Sequence, residues 1–374
     1  MKLLPVIAFA TLCAAGACTS HTVRTSLRSA ENTELKLPYA QTALTAEFVG
    51  PVIDDTTHYI WCFSPLATDD GKVHAMVSQW PVEEGMDGWY GPNAEIAHYV
   101  ADRPEGPFRY VSSVVKTALF PDPSTMAGPH NPRLEYVDGK YVLLYICQNP
   151  TGGTGQRIGM MTADSVYGPW HFAGSNDGIM VETSDDPNHW TYGSQTSIGT
   201  DNPAFLKIDG KYYIYFKAGT PNHMDAKYGY AVSDTLEGPY TMCDAPITDN
   251  VSYLEDAQAF EMDGKYYLLT TDNLGGNTGG FGYLILWESA DGKQFKLSDA
   301  KIALGTLFDY WGTPADRDSL LATPNLFIRC YSGKMERPAI LKVNGKPAYL
   351  YGAGDVNIKG RSMSEPYCYR IKWK

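Results

Sequence analysis

Positive charge is scarce in this chain: 30 Lys and Arg stand against 42 Asp and Glu, a formal net charge of −12. A surface of that sign repels phosphate backbones and anionic lipid, which argues against nucleic acid and favours neutral or cationic ligands. Long apolar runs are scarce as well. Beyond the first 17 residues no segment approaches the ~20 apolar residues needed to span a bilayer. Cysteine is sparse. Past the N-terminal region stand Cys62, Cys147, Cys243, Cys330 and Cys368, an odd count without tight spacing, hence neither a disulfide framework nor a zinc motif. They read as small buried hydrophobes, with a Cys330–Cys368 bridge as the one pairing left open. Charged residues total 19%, so the Lys/Glu filler of long surface helices is missing too.

Strand formers and turn residues are abundant. Aromatics make up 13%, with 26 Tyr, alongside 36 Gly and 24 Pro, which reads as all-β. The N-terminus reads as an export signal over residues 1–17: Lys2, an apolar stretch from Leu3 to Leu12, then Ala14-Ala15-Gly16-Ala17. Cys18 follows directly, as in the lipobox of bacterial lipoproteins; plain cleavage after Ala17 is the alternative. The chain is therefore expected in the periplasm or outer membrane of a Gram-negative bacterium, touching membrane only through a lipid at Cys18. Residues 18–45 read as a polar tether.

One turn recurs five times: Asp70-Gly71-Lys72, Asp138-Gly139-Lys140, Asp209-Gly210-Lys211, Asp263-Gly264-Lys265 and Asn344-Gly345-Lys346. Asp-Gly or Asn-Gly between apolar runs is a strong hairpin signal, because both residues tolerate φ > 0. In three copies a second turn follows, Glu105-Gly106-Pro107, Tyr167-Gly168-Pro169 and Glu237-Gly238-Pro239, with Asp291-Gly292-Lys293 in the fourth. Each unit is thus hairpin, strand, turn, strand. Five such units predict a five-bladed β-propeller over residues 46–374, four antiparallel strands per blade. The first strand, residues 46–53, is expected to close the ring against the last blade.

In a propeller the starts of the innermost strands converge on the axis. Here they read as Phe63-Ser64-Pro65, His130-Asn131-Pro132, Asp201-Asn202-Pro203, Glu255-Asp256-Ala257 and Glu336-Arg337-Pro338. Polar groups at the mouth of apolar strands are costly unless they face water or a ligand. Asp201, Glu255, Asp256 and Glu336 bring carboxyls from three blades, and glycosidic cleavage needs one protonated acid and one ionised base. Lys217 and Arg337 are expected beside them, as charge partners or ligands for an acidic sugar. Asn131, Asn202 and Ser64 are candidate sugar ligands, and His130 a sugar ligand or a ligand for a structural metal ion at the axis. Glu95 is a reserve carboxylate. Trp61, Trp80, Trp89, Trp190 and Trp311 are candidate sugar platforms. No cofactor is called for, and the glycine runs at 151–155 and 275–280 read as flexible loops.

On Trp61-Cys62-Phe63-Ser64-Pro65, Val77-Ser78-Gln79-Trp80-Pro81 and the four later mouth motifs, residues ~46–374 resemble the five-bladed glycoside hydrolases of the family 43 type, with relatives in families 32, 62, 117 and 130. The nearest likeness is to an unclassified family-43-like group of exported bacterial proteins. The resemblance implies Glu255 as general acid, Asp201 or Asn202 at the pKa-tuning position, and Ser64 where that family carries its base Asp. With Ser there, Asp201 or Glu336 is expected as base. The expected activity is exo-acting, inverting release of a terminal sugar from a plant or algal oligo- or polysaccharide. A non-catalytic carbohydrate-binding lipoprotein and a glycoside phosphorylase are the alternatives.

Overall fold

A computed structural model describes residues 42–150, 154–219, 226–280, 282–305, 335–354 and 364–374. The signal, Cys18, nearly all of the tether, Trp311 and Cys330 of the expected bridge lie outside them. Blade one is the sheet β2 (His58–Ala67), β3 (Val73–Pro81), β4 (Glu95–Ala101) and β5 (Arg109–Lys116). Blade two is β6 (Ala127–Val137), β7 (Lys140–Gln148) and β8 (Arg157–Ala163), its outer position shared by the short β9 (His171–Phe172) and β10 (Ile179–Val181). Blade three is β11 (Thr200–Ile208), β12 (Lys211–Ala218), β13 (Lys227–Ser233) and β14 (Thr241–Met242). Blade four is β15 (Leu254–Met262), β16 (Lys265–Asp272), β17 (Tyr283–Ser289) and β18 (Lys301–Leu304). Blade five is β19 (Glu336–Val343), β20 (Lys346–Gly354) and β21 (Glu365–Trp373), completed by β1 (Leu44–Pro51). That strand pairs Leu44 with Trp373 and starts two residues before the expected position, so the first and last described strands share one sheet.

The recurring turns join the first two strands of every blade. At Asp138-Gly139, Asp209-Gly210, Asp263-Gly264 and Asn344-Gly345 both residues have φ > 0, between 50° and 81°, as a two-residue hairpin turn demands. Blade one has the longer loop, closed by Thr68 N–H donating to the Lys72 carbonyl.

Both faces of a blade are buried, which explains strands such as Tyr141–Tyr145 without polar alternation. Apolar clusters fill the seams between neighbours. Met76 and Ile96 meet Leu134 and Tyr145 between blades one and two. Leu144 and Ile158 meet Phe205 and Phe216 between two and three. Tyr215 meets Leu268 and Trp287 between three and four. Leu269 and Leu284 meet Ile340 and Tyr367 between four and five. Phe63 and Val77 meet Tyr351 and Cys368 where the ring closes.

A histidine cluster lies in the seam between blades one and two. On blade one, at the hairpin end, buried His98 Nε2 lies 2.8 Å from His74 Nδ1, and His74 Nε2 lies 3.3 Å from Asp70 Oδ2. Tyr167 of blade two packs its ring against both imidazoles. With Asp70 accepting from His74 and His74 from His98, both rings are neutral, and His98 Nδ1 has no partner among the described residues. Burial pulls His98 down to about 4 and His74 below its ordinary value. A base depressed on folding stabilises the fold above its unfolded pKa, near 6.5, and that stability is lost as pH falls through about 4. His98→Gln keeps an N–H toward His74 but cannot be protonated. It should show a smaller fall in Tm between pH 7 and 4 than wild type; an unchanged acid limb would count against this seam as its source.

Candidate active site

Every innermost strand breaks register at one level. The shifts fall between Trp61 and Ser64, His130 and Arg133, Asp201 and Ala204, Glu255 and Gln258, and Glu336 and Ala339. Inside each break one residue is left-handed: Cys62 (φ 55°), Asn131 (53°), Asn202 (53°), Asp256 (65°) and Arg337 (53°). For Cys and Arg this is a strained conformation, the kind that persists where surrounding contacts enforce it. The bulges define two rings. The left-handed residues form a floor across the axis, and the residues before them, Trp61, His130, Asp201, Glu255 and Glu336, form the rim.

The floor is polar and cross-linked. Arg337 Nε lies 2.8 Å from Asp256 Oδ1, and its backbone N–H donates to Asp256 Oδ2 at 3.1 Å. Arg337 Nη1 donates to Asn202 Oδ1, and Asn202 Nδ2 donates to Asp256 Oδ1 at 3.3 Å. The Asn131 amide oxygen, turned toward the same guanidinium, lies 3.0 Å from Nη1. Burial pushes the Asp256 carboxyl up to about 6 against the pull of Arg337. It pushes the Cys62 thiol up to about 12, so this thiol is neutral.

Above the floor, Lys217 of β12 joins two rim carboxylates. Its Nζ lies 3.2 Å from Asp201 Oδ2 and 2.9 Å from Glu255 Oε1, and it donates to the Tyr253 hydroxyl at 3.2 Å. The side chain is 1% exposed. Two carboxylates hold this ammonium well above the ordinary lysine range despite its burial. Asp201 is buried, which lifts its carboxyl to about 6, and its Oδ1 has no partner among the described residues. The Glu255 side chain is 19% exposed and accepts from Asn273 Nδ2. Glu336 is half-buried on the same ring.

The rim on blades one and two is aromatic. Trp61 packs with Tyr59, Trp80 and Trp89, and the half-buried Trp89 ring lies 4.8 Å from the His130 ring. Burial pulls His130 down to about 3, so its Nδ1–H donates to the Gly128 carbonyl at 2.6 Å and Nε2 is left as an acceptor. Among the described residues no group of three or more His, Cys, Asp or Glu could hold a metal ion.

Several expectations need correction. Ser64 was aligned with Asn131 through Pro65, but the bulge on blade one comes two residues earlier. Cys62 occupies the floor position, while Ser64 lies past the bulge and its Oγ accepts the Leu134 N–H at 2.8 Å, tying blade one to blade two. Glu95 sits on the third strand of its blade, bound by Gln79 (2.6 Å), Ser113 (2.7 Å) and Lys116 (3.0 Å), away from the rim. Trp80 stacks on Tyr59 and Trp190 on Phe216, so both pack rather than face the opening. The run 275–280 is no slack loop: buried Asp272 accepts from the Asn277 and Thr278 backbone N–H groups and the Thr278 hydroxyl. Asn273 and Tyr253 were missed, since neither lies in a repeated motif.

No protein-family model matches the chain. An arabinan endo-1,5-alpha-L-arabinosidase A of Aspergillus niger is 29% identical over 125 residues, which are 32% of this chain and 33% of that protein. The chain thus spans about a third of the length of the curated relatives it matches. A family 117 glycoside hydrolase of the marine bacterium Zobellia galactanivorans superposes with a TM-score of 0.61 at 14% identity, covering 90% of this chain and 92% of that one. A family 43 beta-xylosidase/alpha-arabinofuranosidase from a compost metagenome, in complex with xylotriose, gives 0.55 at 16%, covering 88% and 94%. At such identities the likeness is one of fold.

Proposed function

We propose that this chain is a glycoside hydrolase that removes a terminal sugar from a plant or algal oligo- or polysaccharide. The observation that carries the reading is the set of rim carboxyls in unlike surroundings, Asp201 and Glu255 bridged by buried Lys217 and half-buried Glu336 at the same bulge position on blade five. The glycosidase activities of the arabinosidase, the family 117 hydrolase and the xylosidase named above support it. Glu255 and Glu336 are the rim carboxyls that reach the opening. An ammonium 2.9 Å from Glu255 favours its ionised form, so Glu255 is the base that activates water and Glu336 the proton donor to the leaving oxygen. This reverses the roles expected from the resemblance. Asp201 is then the positioning residue, acting through Lys217, and Asp256 holds Arg337.

Inversion is part of this proposal; the geometry's contribution is a reason why Asp201 and Glu255 do not act together as a retaining pair. Asp201 Oδ2 and Glu255 Oε1 are about 6 Å apart at most, the two lysine contacts laid end to end. That is close to the ~5–5.5 Å of retaining pairs, but Lys217 fills the gap where a sugar carbon would have to sit. A floor closed by cross-linked side chains supports action on a chain end. The phosphorylase alternative needs spare positive charge, whereas Lys217 and Arg337 both face carboxylates. Export through residues 1–17, with or without a lipid on Cys18, would bring the site to such polymers.

The test is sugar release across plant and algal oligosaccharides, with the first-formed anomer followed by NMR. Release of single sugars with inverted configuration is expected. Binding without cleavage would leave the carbohydrate-binding alternative, and a retained anomer would reject the one-step scheme.

A further inference from the structure

On the hairpin side of the floor, away from the rim, the axis holds a small cavity. The floor side chains Cys62, Asn131, Asn202 and Arg337 line it, with Ala257 and Arg133 from just past the bulges of blades four and two. It has room for a water or a single small ion, and none for a sugar.

Arg133 sets the character of this space. Its side chain is buried, and among the described residues its Nη2 donates to the Ala257 carbonyl at 3.1 Å while its Nε has no partner. Burial pulls it below the ordinary arginine value, and Glu135, two residues along the same strand, offsets that only in part. Burial in turn pushes the Glu135 carboxyl up to about 7, so near neutral pH it carries a fraction of a charge. Arg337 differs. Burial opposes its charge as well, but Asp256 Oδ1, 2.8 Å from its Nε, holds it above the ordinary value. A guanidinium stays protonated in a protein interior. Arg133 is thus a buried cation without a matched counter-charge, and buried charges are ordinarily paired.

The other polar walls turn donors to the cavity. The Cys62 thiol is neutral, and the oxygens of the Asn131 and Asn202 amides face the Arg337 guanidinium. Asp256 is not among the lining residues. Two guanidiniums with no carboxylate between them repel a metal cation and attract an anion, and the space admits a monoatomic one.

We propose that the propeller axis binds one halide ion, chloride in ordinary salt, between Arg133 and Arg337 beneath the floor. The ion neutralises Arg133 and ties the inner strand of blade two to that of blade five. It is opposite in sign to the metal ion expected beside His130, and its binding is independent of the hydrolase reading.

The experiment measures Tm in sodium chloride, bromide and gluconate at equal ionic strength, and locates bromide by its anomalous scattering in crystals. At about 100 times the Kd, either halide should raise Tm by about 5 °C over gluconate. The bromide peak should lie against the Arg133 guanidinium. Arg133→Met, of similar length without the charge, should lose both effects; if it does not fold, the two wild-type measurements decide. Equal Tm in the three salts with no peak means that water fills the cavity and overturns the site. A peak without a Tm difference marks an adventitious ion only. That outcome, a peak elsewhere alone, or a halide response that survives in folded Arg133→Met overturns it too.

Discussion

Glu255→Gln should lower kcat by about three orders of magnitude, the scale of a lost general base, with KM near its wild-type value. The substitution is nearly isosteric. A glutamine oxygen can still accept from Asn273, and Lys217 keeps Asp201 as its counter-charge, so the fold should survive. Glu336→Gln should cost a comparable amount on substrates with a poor leaving group. The two variants part company on aryl glycosides. A good leaving group needs no proton, so the acid variant recovers rate there while the base variant does not. Recovery by Glu255→Gln instead would restore the roles expected from the resemblance. If both variants keep wild-type rates, the rim carboxyls are not the catalytic groups.

Lys217→Met should cost about 3–5 kcal/mol of stability, the usual penalty for breaking a buried ion pair from one side. It leaves Asp201 and Glu255 as neighbours without their cation. The deficit should depend on pH. Asp201 already titrates at about 6 in the folded chain, above the ~3.9 of an unfolded aspartate, and losing the ammonium raises it further. A carboxyl raised on folding contributes stability that is present below its unfolded pKa and lost as pH rises through its folded pKa. The variant should therefore be nearest to wild type near pH 4 and furthest from it at neutral pH. Urea unfolding midpoints at the two pH values measure this. Adding Asp201→Asn should recover part of the loss, because a neutral amide needs no counter-charge. A neutral-pH deficit below about 1 kcal/mol would mean that Lys217 does not hold these carboxylates.

The blades were legible because their signals are local. Asp-Gly and Asn-Gly tolerate φ > 0 at both positions, as four of the five turns require, so the recurring turn marks five hairpins whatever packs around them. The rim was legible in part for a similar reason: Asp201, Glu255 and Glu336 interrupt apolar strands, which needs a cause. Blade one was misaligned because Pro65 imitates the prolines that follow the bulge on blades two, three and five. Its actual floor residue, Cys62, looks in sequence like a buried hydrophobe. Lys217 could be placed near the axis by its strand, but its bridging of Asp201 and Glu255 could not be read. Glu95 was equally plausible as a carboxylate until its partners Gln79, Ser113 and Lys116 were visible.

By itself, then, the sequence determined the number of blades, the hairpins and the strands that carry the rim, since these follow from backbone conformations that particular residues favour locally. The tertiary structure decided which residues meet. Where a bulge falls on an inner strand depends on packing against both neighbouring blades, and a shift of two residues exchanges Ser64 for Cys62 on the floor. Whether a carboxyl is paired, buried or open to a sugar likewise depends on side chains from other blades, whose distances no spacing along the chain encodes.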